Sequence, residues 1–277
     1  MATIDTEEYE FIRRLVYERS RINLGPDKTE LVSSRVAKRL RALRLSGFGE
    51  YCELLRSPAG EEEMKDLLDV ISTNVTDFFR EAEHMRYLAE TVLPEWQAAK
   101  PAAGGDKVFR VWSAACSSGE EPYTLAIVLA EYFRENTPRD WRIVASDIST
   151  RMLEKARQGI YQQERVKLPR PEWLARYFQR GTGDFEGYCR VKPLLRDRVV
   201  FQHQNLMHWP YPFRDPFQVI FCRNVMIYFD RPTQEQLIAR LKEQLAPGGY
   251  LFVGHSESLV GIEHGMKCAR PSIYRRT

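Results

Sequence analysis

The sequence has few cysteines and no pattern among them. The five (Cys52, Cys116, Cys189, Cys222, Cys268) are odd in number, scattered, and include no C-x-x-C pair. That argues against a disulfide framework and a zinc site and leaves small buried thiols as the simplest reading. No metal is expected: His84, His203, His208, His255 and His264 stand at no ligand spacing. No apolar run approaches the roughly 18 residues a membrane span needs, so no membrane insertion is expected. The opening stretch M-A-T-I-D-T-E-E-Y-E-F-I-R-R carries acids where a signal peptide carries basic residues. A cytoplasmic protein is the expectation. Excess charge of one sign is also lacking. The 41 Lys and Arg against 38 Asp and Glu leave a net charge of +3, which points to no nucleic-acid partner. Internal repeats and low-complexity tracts are absent.

What is present is a chain of 277 residues, 43% hydrophobic and 12% aromatic, enough for one large domain or a small and a medium one. Residues 1–73 read as an N-terminal helical domain. Leu31–Leu45 sets Val32, Val36, Leu40 and Leu43 on one helical face, with Gly47 as the stop, and Glu61–Ser72 repeats the pattern. Residues 74–106 form a junction and a linker helix leading to Pro94, punctuated by K-P-A-A-G-G-D-K. From 107 to 277 the texture changes to alternating strands and helices: VFRVW, Glu120–Tyr132, WRIVASD, Ser149–Gln158, VVFQHQN, FQVIFCRN, Arg231–Leu245 closed by Pro247-Gly248-Gly249, YLFVGH, and one or two short strands in MKCARPSIYRR. That alternation predicts an α/β fold with a doubly wound, mostly parallel sheet. Arg180–Val191 interrupts it with hairpin chemistry and predicts a small antiparallel β insert within 175–198.

In such sheets ligands bind outside the carboxyl ends of the strands. The first strand ends in S-A-A-C-S-S-G-E-E-P, the second at Asp147, the third at Asn205 and the fourth at Arg223-Asn224. A dinucleotide would call for G-x-G-x-x-G, but here Gly119 is the only glycine of the loop, and Glu120 and Glu121 would repel phosphate. S-Adenosylmethionine, with a sulfonium, an ammonium and no phosphate, suits those acids. Asp147 is placed to accept from both ribose hydroxyls.

N-V-T-D-F-F-R (Asn74–Arg80), V-W-S-A-A-C-S-S-G-E-E-P-Y (Val111–Tyr123), A-S-D-I (Ala145–Ile148), F-C-R-N-V-M-I-Y-F (Phe221–Phe229) and G-H-S-E-S (Gly254–Ser258) together resemble the chemotaxis receptor methyltransferase family, CheR. The resemblance runs from the helical domain to the last strands. It implies a class I S-adenosylmethionine methyltransferase fold and a protein-glutamate O-methyltransferase acting on the cytoplasmic helical bundle of chemoreceptors. The products would be γ-carboxyl methyl esters and S-adenosylhomocysteine. By the same resemblance Asn74, Thr76, Arg80, Glu120, Glu121, Asp147, Asn205, Leu206, Arg223 and Asn224 bind the cofactor. The glycine-rich insert implies a tether site for a receptor C-terminal pentapeptide, with Arg180 and Arg190 supplying charge for its carboxylate and Gly181, Gly183 and Gly187 permitting the turn.

A glutamate carboxylate, with a reference pKa of about 4.3, is already the nucleophile at neutral pH, so no general base is required. Arg80 and Tyr228 are the catalytic candidates, as positioning groups for that carboxylate. The alternatives are an Arg80 paired with Glu81 or Glu83 and a Tyr228 packed below the site. Between Leu31 and Gly49 lie five basic residues (Arg35, Lys38, Arg39, Arg41, Arg44) and no acid. Composition leaves them open between a solvated face and a docking face; the resemblance favours docking to the acidic receptor helices, with all five side chains free of the apolar stripe. Two rivals fare worse. A base amino-methyltransferase lacks its acid- or Asn-Pro-Pro-aromatic tip, because that place reads Arg223-Asn224-Val225-Met226. A silent binding module would not need Arg80, Asp147 and Asn224 intact.

Overall fold

The computed structural model describes residues 4–99, 108–136 and 140–277. The loop K-P-A-A-G-G-D-K therefore lies outside the described residues. The helical region comprises α1 (Thr6–Ser20), α2 (Thr29–Leu43), α3 (Phe48–Arg56) and α4 (Gly60–Ile71). Asp5 caps α1 in a reciprocal box with Glu8. Ile12, Val16, Val32, Val36, Tyr51 and Leu67 meet in a core of their own. Leu43 is not part of it and is 36% exposed. The chain leaves the helix through Arg44 in the left-handed region (φ 58°), and the N–H of Leu45 donates to Leu40 O at 2.9 Å. This turn packs Leu45 on the core in place of Leu43.

The linker helix continues past Pro94. It runs as α5 (Ala82–Tyr87), a π-helical turn (Leu88–Val92) and α6 (Leu93–Ala98), with Pro94 in the first turn of the last piece, where a missing N–H costs nothing.

Next come β1 (Phe109–Ala114), α7 (Glu120–Glu135), β2 (Trp141–Asp147), α8 (Thr150–Gln158), β3 (Ile160–Gln162), α9 (Glu172–Tyr177), β4 (Phe178–Arg180), β5 (Tyr188–Val191), α10 (Pro193–Arg196), β6 (Val199–His203), β7 (Phe217–Cys222), α11 (Arg231–Gln244), β8 (Leu245–Val253), β9 (Met266–Arg270) and β10 (Ile273–Arg276). The main sheet has the order β6-β2-β1-β7-β8-β10-β9, parallel from β6 to β8 and antiparallel at β10 and β9. Both faces are covered: Phe109 and Val111 of β1 pack with α7, while Trp112 and Ala114 pack with α11. The sheet is thus α/β, doubly wound and mostly parallel, as expected.

Pro247-Gly248-Gly249 does not stop the chain before β8 but lies inside that strand. Between the Phe217–Leu245 and Val219–Tyr250 pairs the register slips, and Gly248 takes φ 75° there. The small sheet is antiparallel with the order β3-β5-β4. Its hairpin is the one read from the sequence, but its third strand, β3, comes directly after α8 and carried no turn signal of its own.

Candidate active site

The chain goes from β1 outward through β2 to β6, then returns to the other side of β1 with β7. This reversal opens a crevice at the carboxyl ends of the strands. A cavity of about 1080 Å³, counting its open mouth, occupies it. Ala115, Ser117 and Glu121 follow β1, Asp147 and Ile148 end β2, Asn205 and Leu206 follow β6, and Arg223, Asn224 and Tyr228 follow β7. The junction (Asn74–Asp77, Arg80) and the end of α1 (Ser20, Ile22) close it from the helical side.

Of the ten cofactor positions expected from the sequence, the fold brings nine to this cavity. The exception is Glu120, which faces a second hollow beside the small sheet, where Ser118 Oγ donates to it at 2.7 Å. Tyr228 also lines the cavity. Sequence reasoning missed Ser20 and Ile22, which only the docking of α1 brings here.

Eight non-glycine residues have positive φ among the described residues; Ala115, Ser117 and Asn224 line this cavity, and Phe79 and Glu81 flank Arg80, which also lines it. Such backbone costs energy and persists only where the surroundings impose it. The imposing contacts are visible. Asp147 is buried, accepting from the N–H of Ser117 and of Ser149, both at 2.8 Å. Glu257, also buried, accepts four backbone N–H bonds: Asn224 and Gly254 at 2.7 Å on one oxygen, Met226 at 2.7 Å and Ile227 at 3.3 Å on the other. It holds the whole Arg223–Tyr228 turn. In the sequence Glu257 stands inside the G-H-S-E-S string, which gave it no role of its own.

Arg223, with a side chain 2% exposed, is fully engaged. It donates to Glu81 and to Glu121, each at 3.2 Å, and to Arg80 O at 2.5 Å. Burial raises the Glu121 carboxyl, against the pull of Arg223 and of Ser113 Oγ, which donates at 2.7 Å. Burial also raises Asp147 and Glu257. Burial pushes Glu81 up as well, but there the Arg223 charge and bonds from His255 N–H and Asn224 win, and its carboxyl falls below the usual range. Glu81 therefore pairs with Arg223, not with Arg80.

Arg80 is exposed, and among the described residues its guanidinium makes a single hydrogen bond, to Val75 O at 3.0 Å. The Tyr228 hydroxyl has no hydrogen-bond partner among the described residues, although its carbonyl accepts from Asn23 N–H at 2.8 Å. Asn205 is tied at both ends of its amide, to Arg19 O (2.8 Å) and from Met207 N–H (2.9 Å), and so also holds α1 against the sheet.

The basic helix differs from expectation. Arg35 donates to Ile71 O and Thr73 Oγ1, and Arg39 is paired with Glu63 and Asp66 of α4. These two do not remain free; the acids that hold Arg39 come from a neighbouring helix, beyond the acid-free stretch, and Arg35 is held by a carbonyl and a hydroxyl at that helix's end. Lys38, Arg41 and Arg44 are exposed.

In the insert, Gly181 is required by its surroundings, since a Cβ there would lie 2.0 Å from Phe185 O, and Gly183 and Gly187 have positive φ. The strand register pairs Arg190 with Gln179 on the exposed face and Arg180 with Cys189 on the other.

Acids at two strand tips, a strained backbone lining and the lack of any phosphate-binding glycine loop fit S-adenosylmethionine. Known proteins agree. The model of the CheR methyltransferase SAM binding domain matches residues 74–274, and that of the CheR methyltransferase all-alpha domain matches residues 7–72. Chemotaxis protein methyltransferase of Escherichia coli (strain K12) is 43% identical over 263 residues, 95% of this chain and 88% of that one. Chemotaxis protein methyltransferase 2 of Pseudomonas aeruginosa (strain PAO1) is 40% identical over 97% of this chain and 92% of its own, and the chemotaxis protein methyltransferase of Borreliella burgdorferi (strain B31) is 36% identical over 99% and 95%. Two domain matches spanning nearly all of the chain, with identities of this size, mean that the chain belongs to the CheR methyltransferase family and has S-adenosylmethionine as its cofactor.

Proposed function

We propose that this protein methylates the γ-carboxylates of glutamates on the cytoplasmic helical bundle of chemoreceptors, forming methyl esters in chemotactic adaptation. One observation carries the reading: of the two arginines on the cavity, Arg223 is neutralised by buried acids, whereas Arg80 stands at the mouth with only a carbonyl for a partner. An uncommitted cation there suits an anionic acceptor. Bound S-adenosylmethionine supplies the electrophilic methyl group. Asp147, Glu121, Asn74, Thr76, Asn205, Leu206, Arg223 and Asn224 would hold it in the crevice. Arg80 and the free Tyr228 hydroxyl would orient the acceptor carboxylate in the open part of the cavity, where positioning accounts for most of the rate. A carboxylate acceptor is ionised at neutral pH, so the reaction needs no proton acceptor, and none of the five histidines lines the cavity.

The test is incubation with methyl-labelled cofactor and receptor cytoplasmic fragments. The label is expected on glutamates and released as methanol by mild alkali; alkali-stable label overturns the reading. Arg80→Ala is expected to lower turnover more than it weakens S-adenosylhomocysteine binding, as calorimetry and initial rates would show.

Docking to the receptor fits Lys38, Arg41 and Arg44, which the fold leaves exposed. The insert fits a tether for a receptor C-terminal pentapeptide, added as an extra strand with its carboxylate near Arg180 or Arg190. Among the described residues the Arg180 side chain has no hydrogen bond or ion pair, and that of Arg190 donates to Gln158 O alone, at 3.1 Å. Free-acid pentapeptides should bind and amidated ones should not, with Arg190→Ala separating the two arginines.

A further inference from the structure

The histidines show no ligand spacing along the chain, yet the fold gathers two of them with a carboxylate beside the active site. Glu81, His84 and His255 each place one donor atom within 4.8 Å of the others. His84, on α5, is 1% exposed, and neither of its ring nitrogens has a hydrogen-bond partner. Its Nδ1 lies 3.3 Å from Glu81 Oε2. The His255 ring stands edge-on to it, with centroids 4.8 Å apart. Protein interiors rarely leave two buried polar atoms unpaired unless water or an ion supplies the partner.

We propose that Glu81, His84 and His255 form a binding site for one divalent transition-metal ion of the zinc type at the edge of the active-site cavity. Two imidazoles and one carboxylate suit zinc, nickel or copper and do not suit magnesium or calcium, which take oxygen ligands. Three protein ligands leave a fourth position for water. The 4.8 Å span exceeds the roughly 4.2 Å that two bonds of about 2.1 Å to one ion can bridge. A small ring rotation is needed, and exposed His255 is free to make it. Arg223 opposes a cation here, and its Nε shares Glu81 Oε2 at 3.2 Å, so an ion would compete with it for that oxygen.

The experiment uses the full chain, stripped with chelator. Co²⁺ is titrated by visible absorption, which reports four-coordinate nitrogen and oxygen ligation, and Zn²⁺ by calorimetry. One equivalent is expected, unaffected by millimolar Mg²⁺. His255→Ala, at an exposed position, should weaken binding at least about tenfold, the scale of loss at metal sites even for groups behind the ligands. Cys268→Ser, which removes the exposed thiol, should change nothing. Absence of a saturable equivalent, unchanged affinity in His255→Ala, or loss of binding in Cys268→Ser would each overturn the site.

Discussion

Arg223 and Arg41 are the same side chain in two settings, and the contrast between the strand-tip cavity and the basic helix is instructive. On the cavity side two charges are buried and fully paired: Arg223 with Glu81 and Glu121, Glu257 with four backbone N–H groups. Such groups cannot move without leaving a partner desolvated, so they fix the shape of the turn that carries Asn224 and Tyr228. On α2 the charges divide by helical face. Arg35 and Arg39 tie the helix to α4, and Lys38, Arg41 and Arg44 face water. Exposed charges add little stability and act on encounter with a partner. The same guanidinium is a structural group in one place and a solvated charge in the other, and burial decides which.

The sharpest way to break this comparison is Arg223→Ala. It strands Glu81 and Glu121 without their cation, and the loss expected is about 3–5 kcal/mol of folding stability, read from denaturant unfolding. A loss near zero would mean that the network is not structural. Arg39→Ala comes next, at about 1.5–3 kcal/mol, because it removes charged hydrogen bonds to Glu63, which is buried. The triple variant Lys38→Ala, Arg41→Ala, Arg44→Ala should stay within about 0.5 kcal/mol of wild type. It should instead raise KM for receptor fragments and flatten the salt dependence of that KM, with kcat unchanged; an unaltered KM would remove the helix from receptor recognition.

A pH-dependent effect sharpens the comparison at a third site. Burial pushes the Glu131 carboxyl up, but bonds from Tyr177, Arg176 and Arg134 outweigh it and hold it at about 2. A depressed carboxylate contributes stability that is full above its unfolded value, 4.5, and is lost as pH falls through about 2. Glu131→Gln should therefore differ from wild type in thermal midpoint at pH 6 and converge with it near pH 2. A difference that persists at the lowest pH would assign the effect to packing.

Much of the fold was legible because periodicity is local. The strands from VFRVW to FQVIFCRN stand where their apolar runs put them, and their polar tips lead to the cavity. What failed failed for a shared reason. At Leu43, Pro94 and Pro247-Gly248-Gly249 a backbone irregularity that residue periodicity does not encode intervenes: a left-handed turn at Arg44 puts Leu45 on the core, a π turn carries the helix past Pro94, and a bulge absorbs the glycines.

By itself the sequence determined that acids, not a phosphate loop, end the first two strands, and that a helical domain precedes them, since residue order and spacing carry both. Which charges are free was decided only by the tertiary structure. Arg39 faces Glu63 and Asp66, Arg80 is left without an acid because Arg223 takes Glu81, and His84 is sealed beside Glu81 and His255. Each outcome depends on a partner from a distant segment and on the loss of water around the pair, and neither is written in the spacing of the residues along the chain.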